Sequence, residues 1–234
     1  MSIEICIINP YASEKLNAKL KQCVLEVIDR SSTVYLNENY TVEDYYSYYH
    51  ESTNVSKLIK EIESNNSSDA FIIACYEDVG IDDIRKITSK PVMGIGEAAF
   101  YTANIIANKF SIITNLSASH EALKNNLIKY DLEHKCVSLK SIEVPILDME
   151  TMSKSNIKKL ESAINRTIIE DNPEAIIITS PGILNLTKIF SDRFNIPIIE
   201  GITAAATLLE TLSKQGLKIK KFTKPPNKNY GIPI

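Results

Sequence analysis

The sequence predicts an α/β fold built from two similar units, each a parallel sheet with helices on both faces. Three observations carry that prediction. Apolar runs of strand length alternate with amphipathic helical patterns over almost the whole chain. The alternation restarts half-way, at Phe110. The two halves also share residues at a nearly constant spacing. Ala70 matches Ala175 and Cys75 matches Ser180, 105 residues apart. Pro91 matches Pro197, Ala98-Ala99 matches Ala204-Ala205, and Asn9 matches Asn115, 106 residues apart.

Each element has its own local reason. Ile3–Ile8 is a continuous apolar run of the kind a parallel sheet buries on both faces. Ser13 supplies an N-cap for a helix whose apolar face is Leu16, Leu20, Cys23, Val24, Val27 and Ile28. Thr33–Leu36 is a short strand, and Val55–Ile62 a helix with Leu58, Ile59 and Ile62 inward. Ala70–Ala74 is a strand, Ile81–Thr88 a helix, Pro91–Gly94 a strand and Glu97–Asn108 an Ala-rich helix. In the second half Phe110–Thr114 is a strand, Ser119 caps a helix to about Tyr130, and Ser138–Val144 is a strand. The next helix carries Ile157, Leu160, Ile164 and Ile168 on one face. Ala175–Thr179 is a strand, Leu184–Phe194 a helix, Pro197–Ile199 a strand and Ile202–Gln215 a helix. The tail from Lys220, with two adjacent prolines, reads as an irregular strap.

Composition narrows the function. With 26 Lys+Arg against 29 Asp+Glu there is no electrostatic footprint for nucleic acid or an anionic membrane. No apolar run approaches the roughly 18 residues of a transmembrane helix. MSIEICIINP lacks the basic start of a signal peptide. Cys6, Cys23, Cys75 and Cys136 form no CxxC pair and read as reduced thiols of a cytoplasmic protein. His50, His120 and His134 show no metal-ligand spacing. The partner expected is therefore a small-molecule substrate, with no nucleic acid, membrane or metal.

Ligands of open parallel sheets bind at the carboxyl ends of strands. Asn9, Cys75, Asn115 and Ser180 stop apolar runs at such ends, so a pseudo-twofold pair of units would set them around one cleft. Cys6, Cys23 and Cys136 read as inert core thiols. Cys75 differs, because Tyr76-Glu77-Asp78 follows it and a helix starts at Ile81, whose amides favour a thiolate. Glu77 and Asp78 would oppose that if they point inward. Gly94-Ile95-Gly96-Glu97-Ala98-Ala99 fits G-x-G-x-x-A, but no acidic residue ends the next strand, so the glycines read as close helix–strand packing. Tyr40, Tyr45, Tyr46, Tyr48 and Tyr49 form a cluster suited to a lid, an interface or plain packing.

INPYAS, ACYEDVGIDDIR, PVMGIGEAA, KFSIITN, YDLEHKC, EVPILDME and PIIEGITAAATLLETL, in that order, resemble the hydantoin/allantoin racemase branch of the aspartate/glutamate racemase family over essentially the whole chain. The resemblance implies two Rossmann/flavodoxin-like domains, here 1–97 plus 206–234 and 98–205, with the active site in the cleft between them. It implies a cofactor-independent isomerase in which one thiolate removes the proton next to a carbonyl and a group on the opposite face returns one. Cys75 falls on the first family cysteine. The second sits in a Gly-Cys-Ala-Gly turn, which here reads Thr179-Ser180-Pro181-Gly182. A serine hydroxyl can donate a proton but is a poor base. The family's Asn-Pro-Asn-Thr-Ser loop is altered to Asn9-Pro10-Tyr11-Ala12-Ser13. The expected catalytic pair is thus Cys75 and Ser180. The expected binding residues are Asn9, Ser13, Tyr76, Thr114, Asn115, Thr179, Pro181 and Gly182. Two other outcomes stay open: a single-cysteine decarboxylase or isomerase, and a binding protein without turnover. Family members are often oligomers, and the Tyr cluster is the one feature here that suits a homo-oligomer.

Overall fold

A computed structural model of the chain describes residues 2–10, 14–36, 51–149, 153–180, 183–184 and 186–220. The first half runs β1 (Glu4–Ile8), α1 (Glu14–Val27), β2 (Thr33–Leu36), α2 (Glu51–Ser64), β3 (Ala70–Ile73), α3 (Ile81–Ile87), β4 (Val92–Gly94) and α4 (Ile95–Ile106). The second runs β5 (Phe110–Thr114), α5 (His120–Lys129), β6 (Cys136–Ser141), α6 (Ile146–Met149), α7 (Lys154–Asp171), β7 (Ala175–Thr179), α8 (Thr187–Phe194), β8 (Ile198–Ile199) and α9 (Gly201–Lys214). Two four-stranded sheets result, ordered β2-β1-β3-β4 and β6-β5-β7-β8, with every pairing parallel. The fold class expected from the alternation is the one observed. The expected cap at Ser13, the Tyr cluster and the tail beyond Lys220 lie outside the described residues.

Strand register refines the internal repeat. Ile5 pairs with Ala70, and Phe110 pairs with Ala175, so β1/β3 and β5/β7 share one register. With Ala70 matched to Ala175 in that register, Cys75 and Ser180, each five residues further on, are equivalent. The shared register then makes Thr114, not Asn115, the equivalent of Asn9. The expected Asn9–Asn115 match is off by one residue, and one residue reverses the side-chain direction along a strand. β3 and β4 pair Phe71 with Val92, whereas β7 and β8 pair Ile176 with Ile198. One extra residue between β7 and β8 accounts for the second spacing of 106.

The last helix of each half reaches across to the other. α4 packs on β7, β8 and α5, and α9 packs on β3, β4 and α1. α4 and α9 also pack on each other. Gly201 abuts Ile95, its own match at a spacing of 106: a Cβ at Gly201 would lie 1.9 Å from the Ile95 carbonyl oxygen. A residue that touches its own equivalent marks the pseudo-twofold axis.

Several boundaries move for physical reasons. α4 starts at Ile95, two residues before the expected Glu97, because a carboxylate distant in sequence caps it. β6 covers Cys136–Ser141 and not Ser138–Val144: pairing with Phe110 starts at Cys136, and Glu143 turns into the left-handed region at φ 51°. Ser119 makes no side-chain cap for α5; a 3-10 turn at Ser117–Ser119 leads into that helix. α8 starts at Thr187, three residues after the expected Leu184.

Candidate active site

β3 ends in the turn Cys75–Asp78, and both acidic residues of that turn point inward. The Cys75 thiol donates to Glu77 Oε2 at 3.0 Å. A carboxylate is thus a direct neighbour of Sγ. The Glu77 carbonyl accepts from Asn126 Nδ2 on α5 at 2.7 Å, which ties the turn to the second half. Asp78 sits at φ 51°, a left-handed conformation that costs energy for a residue with a Cβ. Three donors offset that cost: Gly96 N at 3.0 Å and Glu97 N at 2.7 Å, the first amides of α4, and Tyr130 Oη at 3.0 Å. Burial and the nearby Glu97 nevertheless push Asp78 up to about 8. Glu97 is itself paired with Arg85 at 2.6 Å.

The glycine pair of α4 has a specific reason. A Cβ at Gly94 would lie 1.8 Å from Asp78 Oδ1, and one at Gly96 would lie 2.1 Å from the Tyr76 carbonyl. These glycines admit the capping carboxylate and the Cys75–Asp78 turn. The second half caps α9 differently: Glu200 accepts from Ile202 N at 2.7 Å and Thr203 N at 3.1 Å. Tyr76 spans the axis, its buried hydroxyl accepting from Gly201 N at 3.1 Å.

Between the halves lies a cavity. Ala74, Tyr76 and Glu77 line one side of it, and Thr114, Asn115, Ser119 and Thr179 the other. Leu16, Leu20, Ile95, Leu184 and Ile202 supply an apolar wall. Register sets Thr114 beside Thr179 at the carboxyl edge of the second sheet. Cys75 and Ser180 are each 1% exposed and adjoin these lining residues. Asn115 is 2% exposed, and neither its Nδ2 nor its Oδ1 has a hydrogen-bond partner among the described residues. A buried amide left unpaired costs about 1–3 kcal/mol per group, and Asn115, unlike the unpaired Thr167 and Ser213, lines the cavity, where a ligand or water can complete the bonding. Asn9 is also buried, but its amide donates to Asn17 Oδ1 at 2.7 Å and it does not line the cavity. Ser13, Pro181 and Gly182 lie outside the described residues. The other cysteines suit inert roles: burial pushes Cys6 and Cys136 up to about 12 and Cys23 to about 11.

The sequence profile of the Asp/Glu/Hydantoin racemase family matches residues 5–209. The chain belongs to the Asp/Glu/Hydantoin racemase family. A hydantoin racemase of Pseudomonas sp. (strain NS671) is 31% identical, over 79% of this chain and 76% of that protein. A hydantoin racemase of Paenarthrobacter aurescens is 25% identical, over 97% of this chain and 100% of that protein. Among solved structures, the allantoin racemase from Klebsiella pneumoniae superposes with a TM-score of 0.86 at 25% identity, covering 97% of this chain and 94% of that one.

The sequence presents Glu77 as a charge opposed to a thiolate and Ser119 as a helix cap, whereas both line the cavity. The signal for Glu77 was present, an acid two residues after a cysteine at a strand end. Its direction is seen only in the structure, where it meets the Cys75 thiol. Among the described residues no cluster of His, Cys, Asp and Glu is placed to hold a metal, and no helix is long and apolar enough to cross a membrane.

Proposed function

We propose that this protein is a cofactor-independent racemase or epimerase that transfers protons at a carbon next to a carbonyl. The substrate class is a small hydantoin, allantoin or amino-acid derivative. The observation that carries the reading is the unpartnered Asn115 amide, buried in a cavity lined by Ala74, Tyr76 and Thr179, the chain neighbours of Cys75 and Ser180. A side-chain amide offers one donor and one acceptor side by side. The N–H/C=O edge of a lactam or ureido group complements both. Cys75 is the acid/base group on one face of the carbon and Ser180 the proton donor on the other, regaining its proton from water. Tyr76, Thr114 and Thr179, which line the cavity, complete the binding site together with Ser13, Pro181 and Gly182. Residues 1–97 plus 206–234 and 98–205 form the two enclosing domains. We read the compartment as cytoplasmic, from four cysteines none of which forms a disulfide.

Proton exchange in heavy water tests the reading. Single enantiomers of allantoin and 5-substituted hydantoins are incubated with the protein and with Cys75→Ala. NMR follows deuterium at the chiral carbon and circular dichroism follows handedness. We expect exchange with inversion, lost in Cys75→Ala and raised in Ser180→Cys. Exchange with retention alone would remove Ser180 from the mechanism. No exchange on any substrate would refute the proposal.

A further inference from the structure

We infer that Glu77 is the proton partner of Cys75, a positioning residue that takes the thiol's proton as the thiol takes one from carbon. The inference deepens the function proposed above and rests on Cys75 facing the substrate carbon. Its basis is geometric. Sγ lies 3.0 Å from Glu77 Oε2, within hydrogen-bond reach, and of the two groups only the thiol can donate to an ionised carboxylate. Glu77 also lines the cavity, together with the unpartnered Asn115 amide. The tie from Asn126 to the Glu77 carbonyl holds the segment that presents both groups.

A protonated thiol cannot act as a base unless its own proton leaves, and a thiolate beside a carboxylate would set two negative charges together. A relay avoids both difficulties. The substrate proton passes to Sγ as the Sγ proton passes to Oε2. The C–H electron pair stays on carbon and spreads into the carbonyl. The products are an enolate, an unchanged thiol and a neutral Glu77 acid. The reverse transfer returns a proton to the same face of the carbon. The balance closes with one proton and no co-reactant. The amide of Asn115 would meet the polar edge of the enolate from within the cavity.

The test compares wild type, Glu77→Gln and Glu77→Asp by two readouts. The first is alkylation of Cys75 by iodoacetamide at neutral pH, followed on the Cys75 peptide by mass spectrometry. The second is deuterium exchange at the chiral carbon of allantoin and 5-substituted hydantoins. Removing the carboxylate frees the thiolate, so Glu77→Gln should alkylate about tenfold faster. It should also exchange substrate at least about a hundredfold more slowly, because the relay has lost its terminus. Glu77→Asp should lie between wild type and Glu77→Gln in both. Because Cys75 is 1% exposed, unfolding would also speed alkylation, so the rates are compared only for variants whose circular dichroism and melting temperature match wild type. Alkylation at the wild-type rate, or exchange retained, overturns the inference. If wild type exchanges none of the substrates, the proposed function fails, and the alkylation rates still decide whether Glu77 and Cys75 are coupled. If Glu77→Gln does not fold, as judged by circular dichroism, the alkylation rate of Glu77→Asp decides in the same sense.

Discussion

Gly201 gives the sharpest test of how the two halves meet. It opens α9 without a left-handed φ, so its backbone suits any residue, and alanine would gain about 0.5–1 kcal/mol there from helix preference. Space opposes this gain. An alanine Cβ would lie 1.9 Å from the Ile95 carbonyl oxygen and 2.7 Å from its carbonyl carbon, where ordinary contact begins at 3.4 Å. The obstacle is main chain at the start of α4, so no side chain can turn aside, and α4 and α9 must part by more than an ångström. Overpacking of this kind costs about 1–3 kcal/mol, and a backbone obstacle argues for the upper end. The net effect of Gly201→Ala is then a loss of about 2 kcal/mol. At about 2–4 °C per kcal/mol for a chain of this size, the melting temperature should fall by about 4–8 °C. Thermal unfolding followed by circular dichroism measures it. Gly216→Ala is the control, with φ +70° but nothing within 4 Å, so it should show only the left-handed penalty of about 1–2 kcal/mol. A Gly201→Ala protein as stable as wild type would refute the contact between the helices, and with it the placement of the pseudo-twofold axis.

Two further outcomes follow from the buried polar groups. Burial raises Asp78 from an ordinary 3.8 to about 8, so its contribution to stability is greatest below the unfolded value and is lost as the pH rises through about 8. Asp78→Asn removes that dependence but leaves an NH₂ facing an N–H or O–H donor. Urea midpoints should therefore show the variant less stable at about pH 5, with the deficit narrowing toward about pH 9; a constant deficit would refute the assignment. Asn115→Leu should keep or raise thermal stability, because it removes an unpaired buried amide, and should weaken substrate binding by at least about tenfold in KM. An unchanged KM in Asn115→Leu would remove Asn115 from the site.

The fold was open to sequence reading wherever an apolar run ended in a polar residue. β2, β5 and β7 begin and end where their composition does. Reading failed where the deciding partner lies elsewhere in the chain. α4 starts early because Asp78, some eighteen residues upstream, caps it, and no local pattern near Ile95 announces that. The Asn9–Asn115 match failed for a related reason. CIIN and SIITN look alike, but pairing with β3 and β7 sets the equivalence, and it differs by one residue. The candidate site was readable as residue types at strand ends. Side-chain direction was not, because the place of the Asp78 carboxylate depends on a left-handed backbone and on glycines that make room for it.

The two halves repeat in backbone more closely than in chemistry. β3 and β7 share one register with their neighbours, yet one is followed by Cys75 with Glu77 and the other by Ser180. Equivalent helices α4 and α9 meet at the axis, yet Asp78 from the preceding turn caps one and Glu200, at the end of its own strand, caps the other. Because Glu200 caps α9, the Ser180 turn need not place an acid at the position equivalent to Asp78, which is Ile183 and is fully buried. The Cys75 turn must do both tasks at once, capping α4 through Asp78 and meeting the thiol through Glu77. On the function proposed above, the first half then holds the proton-accepting pair, and Ser180 has only to donate.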